Sequence, residues 1–229
     1  LKKGLDSTIF AAITNESRPE LSGCLFKINE DKLILVATDS YRLAERKIKL
    51  ENGIKNQDSF IVPIKTLQEL SRILGDLLDE ELNVFWEENQ ILFVMNGVEI
   101  TSRLIDGEYP DYEQIIPNTQ TTQVIFSKNE AINAIKASSL FSKTGIFDIN
   151  FEFKIPNKIL IKSSNIQLGE NIAEIKAEIK GESNSIIFNY HYILDGLNSL
   201  SAEKVVLEMT APSNPAVLKT EGSEDYLYL

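Results

Sequence analysis

The side chains in this sequence that could perform acid–base or nucleophilic chemistry are few. Among 229 residues, His191 is the only histidine and Cys24 the only cysteine, and neither has a neighbour at a zinc-binding spacing such as C-x2-C or H-x3-H. Asp39 and Asp111 could work as an acid–base pair. A small hydrolase that uses Asp39, Asp111 and His191 is therefore one hypothesis for the function.

The same four side chains also have structural interpretations. Asp39 and Asp111 each lie in a turn-like stretch, where aspartate commonly accepts hydrogen bonds from backbone N–H groups. His191 lies near the start of a predicted helix, which favours a surface or capping role. Cys24 lies in an alternating apolar strand, which favours packing. The sequence also lacks a glycine-rich phosphate loop, so we expect no catalytic site, no metal site and no cofactor.

The composition is that of an ordinary folded protein with one or two domains. Charged residues make up 25% of the sequence and hydrophobic residues 43%. No apolar run approaches the roughly 20 residues that span a bilayer, and the first residues lack the apolar core of a secretory signal. A single cysteine excludes an intrachain disulfide framework. We therefore expect a cytoplasmic protein, which disfavours a secreted adhesion module built from repeats.

An internal repeat is visible at an offset of 126 residues. Three separate regions keep this offset, which indicates two copies of one domain. The matched pairs are Leu5 with Ala131, Thr38 with Ser164, and Pro63 with Asn189. We place the copies at residues 1–117 and 118–229. The first copy is expected to lack its opening strand, and the second to lack its C-terminal residues.

Each copy alternates helices with strands. Helices are predicted at residues 2–14, 63–75, 127–143 and 189–201; in the second of these, Leu67, Leu70 and Leu74 share one face, with Lys65 and Arg72 opposite. Strands are predicted at residues 21–28, 82–87, 90–95, 98–104, 123–126, 147–154, 158–164, 171–180, 203–210, 215–220 and 225–229. The Asn96-Gly97 pair is typical of a tight hairpin turn. The class is α+β, with antiparallel sheets and two helices on one side of each.

The net charge of −11 is unevenly distributed. The four predicted helices together carry +3, so the remaining residues carry −14. An acidic body with mildly basic helices suits a protein that loosely surrounds DNA, because binding to the phosphate backbone depends on basic residues. Acidic surface charge that only keeps the protein dissolved is an equally good interpretation.

Two stretches carry a family resemblance. Residues 33–43, LILVATDSYRL, run an apolar strand into a polar turn, and residues 107–117 read GEYPDYEQIIP. They resemble the T-D-[GS]-[HY]-R-L-A turn and the G-x-[FY]-P-D-Y segment of the second domain of the bacterial β sliding clamp family, the processivity subunit of DNA polymerase III. The resemblance covers the whole chain. It implies a non-catalytic fragment that holds two repeated sliding-clamp (DNA clamp) domains, domains two and three.

The resemblance also implies a hydrophobic cleft that binds short peptides from the polymerase alpha subunit, clamp-loader subunits and other proteins with a clamp-binding motif. Most of its residues are apolar, as a groove for leucine and phenylalanine side chains requires. The matching positions are Leu21, Thr38, Arg42, Leu43, Pro110, Ile115, Asn189, Tyr192, Leu227, Tyr228 and Leu229. Two departures stand out: Ser40-Tyr41 replaces a common Gly-His pair, and Gln114 replaces a common arginine, which would remove a charged contact with acidic peptides.

Helices of this family line the hole of a ring and touch the backbone of duplex DNA without reading its sequence. Lys65 and Arg72 are the strongest DNA-facing candidates. The weaker ones are Lys2, Lys3, Lys128, Lys136 and Lys143. Ring closure in the family pairs domain one of each subunit with domain three of the other. The full-length chain is therefore expected to be a ring homodimer, and this fragment a monomer.

Overall fold

The computed structural model describes residues 1–13, 18–50, 57–76, 81–143 and 145–229. The chain divides into two compact units, Leu1–Asp111 and Tyr112–Leu229. The boundary predicted from the sequence, after residue 117, lies six residues beyond this division. No helix among the described residues is long and apolar enough to cross a membrane.

The described residues of unit 1 form two α-helices and two antiparallel sheets. The first sheet has the strand order β3-β2-β1-β4, and the second has the order β5-β6-β7. The elements are α1 (Lys2–Thr8), β1 (Gly23–Asn29), β2 (Lys32–Thr38), β3 (Leu43–Lys49), β4 (Asp58–Pro63), α2 (Ile64–Asp76), β5 (Asn83–Glu87), β6 (Gln90–Met95) and β7 (Val98–Arg103). Short 3-10 helices cover Ile9–Ala11 and Pro19–Leu21.

Unit 2 contains two helices and one antiparallel sheet with the order β12-β9-β10-β11-β8-β13-β14-β15. A 3-10 helix, Tyr112–Ile115, precedes the sheet. The elements are β8 (Thr122–Ser127), α3 (Lys128–Ser139), β9 (Asp148–Lys154), β10 (Lys158–Asn165), β11 (Gly169–Gly181), β12 (Asn184–Asn189), α4 (Tyr190–Ser199), β13 (Lys204–Met209), β14 (Val217–Thr220) and β15 (Tyr226–Tyr228).

The structure confirms the internal repeat and the α+β class. Four elements of unit 1 begin 126 positions before their counterparts in unit 2: α1 and α3, β2 and β10, β4 and β12, and α2 and α4. Each strand that precedes the second helix of a unit runs directly into it. Corresponding residues of the two copies therefore occupy corresponding positions of one repeated architecture.

Side-chain periodicity explains why these elements form. In α2, Leu67 and Leu70 are fully buried, whereas Lys65 and Arg72 on the opposite face are exposed, as predicted. The hairpin between β6 and β7 turns at Asn96 and Gly97, whose φ angles are 41° and 76°. Asparagine and glycine tolerate these left-handed angles better than other residues do, so the pair fixes the register of the hairpin.

The predicted helix ends need correction. Helix α1 ends at Thr8 and continues only as a 3-10 turn, so it is shorter than the predicted 2–14, whose last residue lies outside the described residues. The hydroxyl of Thr8 donates to the carbonyl of Gly4, and in α3 the hydroxyl of Ser139 donates to that of Lys136. Both are side-chain bonds back to carbonyls of the preceding turn, and in α3 the bond supplies a partner for a carbonyl of the last turn.

The start of the second helix also differs slightly from the prediction. Pro63 was expected at the first helical position, but it is the last residue of β4, where it lies opposite Gly23 of β1. Proline can occupy the end of a strand because its missing N–H group is not needed there. Helix α2 consequently begins one residue later, at Ile64.

A substitution at Gly196 of α4 tests how this helix packs against the last strand, β15. A Cβ atom at this position would lie 2.4 Å from Cδ1 of Tyr228. We expect Gly196→Ala to lower the free energy of unfolding by about 1–3 kcal/mol, because the ring must shift in a packed core. Gly75→Ala is the matched control, since its Cβ would meet only the flexible end of Lys2, at 3.3 Å.

Chemical denaturation of both variants would measure this difference. The control substitution should leave stability unchanged or raise it slightly, because alanine favours helix more than glycine does. Equal stability of the Gly196→Ala variant and the parent chain would contradict the described packing of Tyr228.

Candidate functional site

The turn at residues 38–43 is held by side-chain hydrogen bonds to its own backbone. The hydroxyl of Thr38 donates to the carbonyl of Arg42 at 2.6 Å and accepts from the amide of Ser40 at 3.1 Å. The Oδ1 atom of Asp39 accepts from the amides of Tyr41 at 2.9 Å and Arg42 at 3.0 Å. Because short polar side chains replace backbone partners here, the chain turns sharply between β2 and β3.

Arg42 connects this turn to the first 3-10 helix of unit 1, Ile9–Ala11. Its Nε donates to Oδ2 of Asp39 at 3.0 Å, and its Nη2 donates to the carbonyl of Phe10 at 3.1 Å. The guanidinium carbon also lies 5.5 Å from the centre of the Phe10 ring, within cation–π range. Both charged side chains are mostly buried. Their pairing therefore fixes the shape of the turn.

Asp39 thus has the structural role that its turn context predicted. Cys24 is likewise buried, and burial raises the pKa of its thiol to about 12. A thiol with this pKa stays protonated and unreactive at neutral pH. The imidazole of His191 packs against the rings of Tyr190 and Phe147, with ring centres 4.1 and 4.9 Å away. Within the described residues, no group of three or more His, Cys, Asp or Glu side chains could hold a metal ion.

The predicted cleft residues of unit 1 differ in exposure. Leu21 and Leu43 are each only 1% exposed, so they belong to the core of unit 1, whereas Tyr41 in the turn is 81% exposed. Pro110 is exposed. The preceding Tyr109 donates from its hydroxyl to the carbonyl of Val36 in β2 at 3.3 Å, and its burial raises the pKa of that hydroxyl. This bond brings the second sequence motif to the strand that precedes the turn.

In unit 2 the structure brings several predicted cleft residues together. The side chain of Asn189 caps α4 by accepting from the amide of His191 at 3.0 Å. The hydroxyl of Tyr228 donates to the carbonyl of Tyr192 at 2.8 Å, which joins β15 to α4. Leu227 and Leu229 flank Tyr228 and are half-buried.

A second bond joins the same two elements of unit 2. The hydroxyls of Ser199 and Tyr226 lie 2.7 Å apart. Ile115, at the end of the 3-10 helix of this unit, is 48% exposed. Unit 2 therefore has an accessible apolar side chain, Ile115, and two tyrosines, Tyr226 and Tyr228, that are hydrogen-bonded to α4.

Sequence reasoning missed Arg18. Its Nη1 atom donates to the hydroxyl of Ser40 at 3.0 Å, and its Nε donates to Glu20 at 3.1 Å. Arg18 and Ser40 lie 22 positions apart on either side of a hairpin. Neither residue belongs to a pattern that predicts the contact, so only the folded chain reveals it.

The seven candidate DNA-facing residues fall into two groups. Three are already engaged: Arg72 pairs with Glu69 at 2.6 Å, Lys2 pairs with Asp6 at 2.8 Å, and Lys128 donates to the carbonyl of Leu200 at 2.7 Å. Hydrogen bonding from Arg72 holds the pKa of Glu69 below its ordinary value. In the part of the chain that the structure describes, the other four form no ion pair and are exposed: Lys3, Lys65, Lys136 and Lys143.

Family models match both units of the chain. Residues 1–111 match the central domain of the DNA polymerase III beta subunit, and residues 113–229 match its C-terminal domain. The chain is 34% identical over 231 residues to the beta sliding clamp of Bacillus subtilis, covering 100% of this chain and 61% of that relative. It is 33% identical to the beta sliding clamp of Staphylococcus aureus, covering 60% of that protein. The chain thus spans about three fifths of the length of these curated relatives.

Solved structures show the same likeness. A crystal structure of the DNA polymerase sliding clamp from Bacillus subtilis has a TM-score of 0.93 at 33% identity, covering 99% of this chain and 60% of that chain. The DNA polymerase III beta subunit from Thermotoga maritima has a TM-score of 0.94 at 27% identity, covering 99% and 61%. Motifs, repeat, fold and domain matches agree, and the chain therefore belongs to the β sliding clamp family, the beta subunits of DNA polymerase III.

Proposed function

We propose that this chain is part of the processivity factor of a bacterial replicative DNA polymerase. The complete subunit encircles duplex DNA in the cytoplasm and tethers the polymerase through effective concentration, without catalysing a reaction and without a cofactor. The main observation in support of this proposal is that both units match domains of the beta subunit of DNA polymerase III. The hydrolase hypothesis loses support because the Asp39 carboxylate is occupied by two backbone amides and Arg42.

The partners that dock are peptides of the polymerase alpha subunit, clamp-loader subunits and other proteins with a clamp-binding motif. Two features support this proposal, one in each unit: the rigid turn at residues 38–43 and the exposed side chain of Ile115. A rigid turn suits a site that binds short peptides because little order is lost on binding, and an exposed apolar side chain offers the surface that such a site needs.

Peptide binding can be tested with a labelled peptide of the Gln-Leu-x-Leu-Phe type in a fluorescence anisotropy titration. We expect Ile115→Ser to weaken binding about tenfold, because the variant loses the apolar area that a leucine or phenylalanine would cover. Ile115 is 48% exposed, so the substitution should not disturb the core.

Ile166→Ser is the matched control for this titration. Ile166 is 96% exposed at the turn between β10 and β11 and has no place in the proposed cleft. The control variant should bind like the parent chain. Absence of saturable binding by the parent chain, or equal losses in both variants, would contradict the peptide site.

Duplex DNA is the second proposed partner, contacted through the helix faces that carry basic residues. Lys3, Lys65 and Lys136 support this proposal best, since they are exposed on helices, whereas Lys143 is exposed beyond the end of α3. Such contacts to the phosphate backbone carry no sequence information, so they suit a ring that slides. Arg72 contributes less than the sequence suggested, because Glu69 occupies two of its N–H groups.

Removal of the carboxylate of Glu69, which pairs with Arg72, tests which face of α2 contacts DNA. We expect Glu69→Gln to strengthen binding to duplex DNA at low salt about twofold to fivefold, because it removes the negative charge beside an exposed guanidinium. The dependence on salt should steepen by about one released counterion. Anisotropy titrations at several salt concentrations would measure both quantities.

Glu99→Gln is the matched control for the DNA titration. It makes the same change in net charge at an exposed position of β7. The control should strengthen binding less than Glu69→Gln does. Equal effects of the two variants would mean that only net charge matters, and would contradict a DNA-facing role for α2.

Ring formation is proposed for the complete subunit alone. In unit 2, residues 169–176 of β11 pair with β10 on one side, and within the described residues no strand pairs with their other edge. The exposed side chains of Leu140, Ile146 and Ile172 lie in this unit. An open strand edge and exposed apolar side chains in unit 2 support a contact with a second subunit.

This chain matches only the central and C-terminal domains of the family, whereas family rings pair domain one with domain three. We therefore expect this chain alone to be a monomer. Analytical ultracentrifugation would measure its mass in solution, and a tight dimer would contradict the expectation.

A further inference from the structure

Ser40 occupies a backbone conformation that serine rarely adopts. Its φ angle is 77°, in the left-handed region that favours glycine because a Cβ atom is crowded there. A residue held in such a conformation is often retained for what its side chain does. The side chain of Ser40 is exposed, so packing in the core does not explain its presence.

The hydroxyl of Ser40 does have a partner in the guanidinium of Arg18. The Oγ atom accepts from Nη1 at 3.0 Å, while Nε of the same guanidinium donates to Glu20 at 3.1 Å. Two bonds on different nitrogen atoms fix both the position and the plane of the group. Glycine at position 40, which the turn itself would favour, could make no such bond.

Arg18 keeps the capacity to bind a further group. Its side chain is 49% exposed, and a guanidinium carries five N–H donors. Among the described residues, two of these donors are engaged, by Glu20 and Ser40. The other three remain for an acceptor on a ligand. Carboxylates match the planar fork of arginine better than neutral acceptors do, since the resulting hydrogen bonds are charge-assisted.

We propose that Ser40 is a positioning residue that holds Arg18 beside the peptide-binding turn, where Arg18 selects docking peptides that carry an acidic side chain. The inference rests on the proposed peptide site. Gln114 stands where an arginine is common in the family, so that charged contact is lost in this chain. Arg18 would offer a cation in unit 1. Glu20 balances the charge of Arg18, so selection comes from directed hydrogen bonds, and its size is about threefold, as for one exposed ion pair.

The test compares two pairs of labelled Gln-Leu-x-Leu-Phe peptides. In each pair an aspartate is replaced by asparagine, either at x or just before the glutamine. We expect the parent chain to bind the aspartate member of at least one pair about threefold tighter than its asparagine partner. In Ser40→Gly, Ser40→Ala and Arg18→Gln this affinity ratio should fall to near one.

The two Ser40 variants separate positioning from a purely structural role. Ser40→Gly removes the backbone strain and the hydroxyl, whereas Ser40→Ala keeps the strain and removes only the hydroxyl. Thermal unfolding should therefore show the glycine variant as more stable than the alanine variant, while both lose the same selectivity. The inference would be overturned if the aspartate-to-asparagine affinity ratio fell only in the less stable variant. It would also be overturned if both variants kept the ratio of the parent chain.

The outcomes also distinguish this inference from the proposed peptide site. Saturable binding of all four peptides by the parent chain with equal affinity would overturn the role of Ser40 and Arg18, and the peptide site would stand. Failure of every peptide to bind the parent chain would overturn both.

Discussion

Burial of one sheet face against the helices of the same unit is the constraint on which both units depend. In unit 1, Leu5 of α1 and Leu67 and Leu70 of α2 are fully buried; in unit 2, Phe151 and Phe153 of β9 are. Because side chains of a strand alternate between faces, burying one face leaves every second residue for the surface. The helices in turn must present their polar faces outward. The basic residues that we propose to face DNA follow from this arrangement.

The same constraint places the turn at residues 38–43, where we propose that peptides bind. Strand β2 is buried up to Thr38 and β3 is buried from Leu43, so the chain must reverse within a few residues while its amides remain satisfied. Asp39 and Thr38 satisfy them, and Arg42 joins the turn to Phe10. A turn made rigid in this way presents Tyr41 and Ser40 at little entropic cost to a ligand.

Charge in this protein acts mainly through local pairs. The chain carries −11 overall, yet Arg72, Lys2 and Arg42 each have an acidic partner within one helical turn or three residues in sequence. The exposed pairs of Arg72 and Lys2 contribute little to stability, but they lower the positive charge available for the DNA contact that we propose. A sliding contact benefits from such weak attraction, since tight binding to phosphates would hold the ring in place.

The sequence by itself determined the repeat, the α+β class, most strand positions and the structural roles of Asp39 and Cys24. These features rest on local periodicity and turn chemistry, which a short stretch of residues contains completely. The tertiary structure decided the helix ends, the pairing of Arg72 with Glu69, and the bond from Arg18 to Ser40. Each depends on which side chains folding brings within hydrogen-bonding distance, and two residues 22 positions apart carry no local signal of their contact.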